Sequence, residues 1–183
     1  MKNAVIALGI FLLALPACTT AVDPPVLEQQ LQRAEDDLAI RRVLYDYHWA
    51  IDNRDFELYV SLFARDGEFV TGKTVLKGPE QIRLMLVGIF GETPPGYVNR
   101  DSVEITVDPE IDIHGDRATV KSGAFLLEQG PDGFPMSVLV GGYDDQFIRE
   151  DGKWKILRRI DHIYIPAPGE VMKTMPKKSK PSQ

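Results

Sequence analysis

The chain has 183 residues, 44% of them hydrophobic and 26% charged, which suits one domain with its own core plus short appendages. Its net charge of −6 argues against a nucleic-acid partner, because phosphate binding needs a basic surface. There is no C-x-x-C pair, no cysteine–histidine cluster at metal-ligand spacing and no glycine-rich phosphate loop, so neither a metal nor another cofactor is expected.

At the start of the chain, Lys2 precedes an apolar run over residues 4–15, too short to span a bilayer as a mature helix and of the length of a secretory h-region. The run ends in Leu-Pro-Ala-Cys. It resembles a bacterial lipobox, in which Cys18, the single cysteine, becomes the lipidated N-terminus; cleavage after Ala21 is the alternative. Buried acyl chains contribute about 0.8 kcal/mol per methylene, so lipidation would hold the domain on a membrane. Thr19 after the cysteine implies, by the same resemblance, the periplasmic face of the outer membrane. Residues 1–17 are thus a signal peptide, and 18–31 the lipidated cysteine and a proline-containing tether.

From residue 27 to about 51 the pattern is helical, with Ile40, Val43, Leu44, Tyr47 and Ile51 on one face. Asn-Arg-Asp breaks it, and residues 56–64 form a short second helix. A strand pair turns around Thr71-Gly72. Gly78-Pro79 opens a third helix whose apolar stripe contains Ile82, Met85, Leu86 and Ile89. Four long antiparallel strands follow with short turns between them. The first alternates, placing Val103, Ile105 and Val107 on one face and Ser102, Glu104 and Thr106 on the other. The domain ends near residue 167, and residues 168–183 form a basic tail of disordered composition.

That order, together with the stretches AIRRVLYDYHWAIDNRDFELYVSLFARDGEF, HGDRATVKS and GGYDDQFIREDGKWKILRR, resembles the SnoaL-like branch of the nuclear transport factor 2-like superfamily. The resemblance implies an α+β, cone-shaped fold with three helices packed on a curved, mostly antiparallel sheet that encloses a pocket. It also implies a homodimer through the outer sheet face. The superfamily includes a ketosteroid isomerase, scytalone dehydratase, a dehydrochlorinase and polyketide cyclases, alongside members that only bind or dimerise, so function rests on the site.

In dehydratase-like members the aspartate at the end of the first helix points into the cone. Asp52 holds that position and Tyr47 lies five residues before it. A carboxyl in an apolar pocket titrates near working pH and can exchange a proton, while a phenol can polarise a carbonyl. His48, four residues before Asp52, shares its helical face and can pair with it. Active relatives place a histidine at the start of the first long strand, in a pattern like His-x-x-x-Asn; this chain has none there. Parity with Val103 puts Asn99 on the inward face, able to bond a ligand but not to carry a proton.

On the last strand, alternation leaves two faces open. One carries Arg158 and His162 with Trp154, Ile156 and Ile160, and is the face assigned here to the cone; the other carries Leu157, Arg159 and Ile163. Trp49 and Met85 complete the candidate lining. The sequence therefore points to a cofactor-independent lyase or isomerase acting on a small hydrophobic molecule. Asp52 is its general acid/base, Tyr47 and Asn99 its orienting donors, and His162 or His48 its second proton carrier. The alternative is a lipid-anchored domain that binds a hydrophobic ligand or a partner protein without catalysis.

Overall fold

The computed structural model describes residues 23–100, 102–130 and 132–165. The expected signal peptide, Cys18 and the tail from 168 lie outside them. Helix α1, Pro24–Asp52, buries Asp36, Ile40, Val43, Leu44, Tyr47, His48 and Ala50, the expected stripe widened by three polar or small residues. It starts earlier than the composition suggests. Prolines suit a first helical turn, so residues 24–31, assigned to the tether, are exposed helix.

Asn53 ends α1 by donating its side-chain amide to the Trp49 carbonyl at 2.8 Å. Asp55 then caps α2, Phe56–Ser61, by accepting the Leu58 N–H at 3.0 Å. This helix stops before its expected end because Leu62 and Phe63 are claimed by the sheet. The Leu62 carbonyl accepts the Ile156 N–H at 2.9 Å, and Phe63 opens strand β1, Phe63–Thr71. A turn at Gly72 leads to β2, Thr74–Lys77, and then to α3, Gly78–Phe90. Ile82 and Leu86 of α3 are buried. Met85 packs at the edge of the same core, so this candidate for ligand lining has a packing role.

The long strands are β3, Ser102–His114; β4, Arg117–Gln129; β5, Pro135–Glu150; and β6, Lys153–Ile165. Among the described residues the sheet has six strands in the order β2-β1-β6-β5-β4-β3, parallel between β1 and β6 and antiparallel elsewhere. The helices pack against its curved inner face, giving the α+β architecture expected.

Two β-bulges decide which side chains face inward. In β3 the register slips between Val107 and Glu110, around Asp108 at φ 49°. Glu104 and Thr106 consequently point inward, and Val103 and Ile105, expected inside, are 48% and 39% exposed. In β6 the pairing steps from Ile156 to Arg158 across β5, leaving Leu157 as the extra residue. Trp154 and Ile156 face in, but beyond the bulge so does Arg159.

Arg159 is fully buried. Its guanidinium makes two hydrogen bonds to Asp145, at 2.8 and 2.7 Å, and packs against the rings of Tyr47 and Tyr143, 3.9 and 4.2 Å from their centroids, the two rings themselves meeting edge to face. A cation that gives two hydrogen bonds to one carboxylate and packs against aromatic rings fits Arg better than Lys. Removing one partner of such a pair strands a buried charge. Asp145→Asn should lower the free energy of unfolding in urea by about 3–5 kcal/mol. The double change Arg159→Met with Asp145→Leu should recover most of that loss; a double variant as unstable as the single one would show that the charge itself is not what costs stability.

Candidate functional site: a groove between the first helix and the third strand

The last turns of α1 lie along β3, the strand at one edge of the sheet. An edge strand leaves backbone groups unpaired, and α1 uses one of them: Asp52 Oδ1 accepts the Glu104 N–H at 3.1 Å. Between the two elements runs a groove of about 440 Å³. Leu44, Tyr45, Trp49, Ile105 and Pro109 form its apolar walls, and His48, Asp52, Glu104 and Thr106 supply its polar groups.

His48 and Asp52, one turn apart on α1, thus share one cavity with Glu104. His48 Nε2 shares a hydrogen bond with the Thr106 hydroxyl, while Nδ1 is buried without a hydrogen-bond partner, 3.6 Å from Glu104 Oε1. Burial, helped by the positive charge of Arg159, depresses the imidazole pKa to about 3, so His48 is neutral under ordinary conditions.

Glu104 is the deepest carboxyl in the groove. Burial raises its pKa; the Tyr143 hydroxyl, which donates to Oε1, and the charge of Arg159 oppose that rise, and Asp52 and Asp161 add to it. Asp52, closer to solvent, is also raised by burial, against the pull of the Glu104 N–H. Carboxyls whose pKa is raised by burial, set beside a neutral imidazole, are candidates for proton exchange.

The groove brings together Asp52, His48 and Trp49 from the sequence-based candidates. The others lie elsewhere. Tyr47 is buried behind the groove, its hydroxyl accepting from Tyr59 and its own pKa pushed up to about 12 by burial. Asn99 sits before β3, where its side chain bonds the Ser102 backbone. Past the Leu157 bulge, Arg158 faces outward and pairs with Glu68 at 2.6 Å. His162 is on that same outer side, bonded to Asp144 at 2.9 Å and stacked on Tyr164. Both were assigned to the inner face, and the extra residue at the bulge reverses the assignment.

Sequence reasoning missed Glu104, because strict alternation put it outside with Ser102 and Thr106. The available signal was Asp108-Pro109, since proline within a strand pattern marks an edge or a bulge. Where active relatives are expected to place a histidine near the start of the first long strand, the inward ionisable group here is this glutamate.

The model of the SnoaL-like domain family matches residues 32–160. A comparison with curated proteins finds no match. Among solved structures, an NTF2-like protein with a cystatin-like fold from Novosphingobium aromaticivorans is 20% identical with a TM-score of 0.67, over 84% of this chain and 97% of that one. A scytalone dehydratase-like protein of the same organism is 24% identical with a TM-score of 0.60, over 76% and 89%. A type 2 hexachlorocyclohexane dehydrochlorinase is 18% identical with a TM-score of 0.62, over 74% and 90%. At these identities the likeness is one of fold.

The state of His48 has a measurable consequence. Its folded pKa, about 3, lies below the ordinary 6.5, so between those values the unfolded chain binds a proton that the native state refuses. Stability should therefore fall as pH falls from about 6.5 to 3, by up to about 1.4 kcal/mol per pH unit from this group. The raised carboxyls act with opposite sign over part of that range, so the informative quantity is the difference between wild type and His48→Gln. Urea unfolding at a series of pH values should show a flatter acid limb in the variant; an unchanged limb would place the proton uptake elsewhere.

Proposed function

We propose that this chain, which belongs to the SnoaL-like family, is a cofactor-independent lyase or isomerase that moves protons on a small hydrophobic molecule held in the groove between α1 and β3. The observation that carries this reading is the Glu104 carboxyl, buried against the His48 imidazole and the Tyr143 hydroxyl at the floor of an apolar-walled cavity. Folds shared with a scytalone dehydratase-like protein and with a dehydrochlorinase, whose names describe eliminations, agree with it.

In this proposal Glu104 is the general acid/base. Its ionised form takes a proton from carbon, and its protonated form returns one to the leaving group or to a second carbon. His48, held neutral 3.6 Å away, packs against that carboxyl without carrying the proton itself, and so leaves the exchange to Glu104. Asp52, nearer the mouth, orients the polar end of the substrate. Tyr143, bonded to Glu104 and stacked on Arg159, keeps the carboxyl in place.

The absence of the histidine of active relatives favours a second reading, in which the groove binds its ligand and releases it unchanged. Kinetics on a panel of small cyclic hydroxy-ketones, with and without an amino substituent, separates the two. On the catalytic reading Glu104→Gln lowers kcat about 10²–10⁴-fold, whereas Asp52→Asn acts mainly on KM. Turnover that survives Glu104→Gln removes Glu104 from the chemistry, and binding of the panel without turnover supports the second reading.

The proposal extends to location. The lipobox-like stretch ending in Cys18 would place the domain at the periplasmic face of the outer membrane. Cys18→Ser should shift the protein from the membrane fraction to the soluble fraction; a variant that stays with membranes would tell against the anchor.

A further inference from the structure

The charges of the groove are one-sided. Its acidic groups are Asp52 and Glu104, and its basic group, Arg41, is already engaged by Asp37 through contacts of 2.5 and 3.3 Å. Among the described residues no lysine or arginine forms an ion pair with Asp52 or Glu104. Arg159, the nearest interior cation, is fully buried and taken up by Asp145.

Two large aromatic side chains flank these carboxyls. Tyr45 and Trp49, one turn apart on α1, are 59% and 44% exposed, and Trp49 stands three residues before Asp52, on the same side of the helix. Tyr45 already carries one cation, the Arg42 guanidinium, 5.3 Å from its ring centroid. Among the described residues no Lys or Arg of the chain covers the Trp49 face. A third feature points the same way: His48, which lines the groove, is buried with Nδ1 lacking a hydrogen-bond partner, and a neutral imidazole nitrogen can accept an N–H from a ligand.

We propose that the groove takes a small organic cation, an ammonium group on a hydrophobic body. The nitrogen is held by Asp52 and covered by Trp49, and the apolar part lies against Leu44, Ile105 and Pro109. This names the substrate class of the site proposed above and rests on that reading. An ammonium supplies the positive charge that the two carboxyls lack, and it donates charge-assisted hydrogen bonds to them. Trp offers the strongest cation–π surface of the side chains, worth about 0.5–2 kcal/mol. A neutral analogue of the same shape forgoes both contributions, and an anion meets like charge on the partly desolvated carboxyls.

Calorimetric titration at about pH 7 and low ionic strength tests this with three probes that share one ring: 2-phenylethylammonium, 2-phenylethanol and 3-phenylpropanoate. The ammonium should bind about tenfold tighter than the alcohol, or more, and the propanoate most weakly. Asp52→Asn should remove most of the ammonium's advantage over the alcohol. Trp49→Ala, at an exposed position, should weaken the ammonium more than the alcohol and serves as the second measure should Asp52→Asn disturb the helix end. Equal binding of ammonium and alcohol, a preference that survives both changes, or no binding of any probe would overturn the proposal. Binding is read here and not turnover. Loss of the preference while Glu104→Gln still abolishes turnover removes only the substrate class, and turnover unaffected by Glu104→Gln removes only the reaction.

Discussion

A fully buried arginine sets the terms for the rest of this molecule. Arg159 of β6 is bonded by the Asp145 carboxylate and packed against the rings of Tyr47 and Tyr143, so three residues from α1 and β5 are tied to one charge. Isolated, that charge would be too costly to bury; paired and stacked, it fixes the positions of the side chains around it. Tyr143 reaches from its stack on Arg159 to the Glu104 carboxyl, and Tyr47 receives the hydroxyl of Tyr59. The interior that supports the groove is therefore an apolar core with a polar network set into it. Ile40, Ile82, Leu86, Val120, Phe147 and Ile156 are among its fully buried residues.

The architecture was legible in the sequence because the signals that specify it are local and repeated. Apolar spacing of three and four marked α1 and α3, alternation marked the long strands, and the glycines at 72, 115 and 152 take the left-handed backbone that their turns need. The end of α2 was less legible. Leu62 and Phe63 continue a helical pattern, and only the distant Ile156, which bonds Leu62 and pairs with Phe63, converts them into the start of a strand.

The site was legible only where it lies on the helix. His48, Trp49 and Asp52 follow from the 3.6-residue repeat, which no neighbour disturbs. On strands the inward face depends on an unbroken two-residue period, and one inserted residue inverts it. The bulge at Asp108-Pro109 turned Glu104 inward, and the one at Leu157 exchanged Arg159 for Arg158. The first of these left a trace in the proline. The second left less: of two adjacent arginines on one strand, the one turned inward had to find an interior partner, and Asp145 on β5 was that partner.

The same buried charge links stability to reactivity in the groove. Arg159 depresses the basicity of His48 and, with the Tyr143 hydroxyl, favours the ionised form of Glu104, while burial and the neighbouring Asp52 and Asp161 work against that ionised form. The two influences pull Glu104 in opposite directions. That balance is what an acid/base group needs, since a carboxyl held firmly in one protonation state can only give or only take. His48 experiences no such balance: burial and Arg159 both lower its pKa, leaving an imidazole that hydrogen-bonds Thr106 with one nitrogen and keeps the other buried beside Glu104. On the proposed reading, proton exchange in the groove therefore falls to its carboxyls, Glu104 foremost as the deeper of the two, and not to His48.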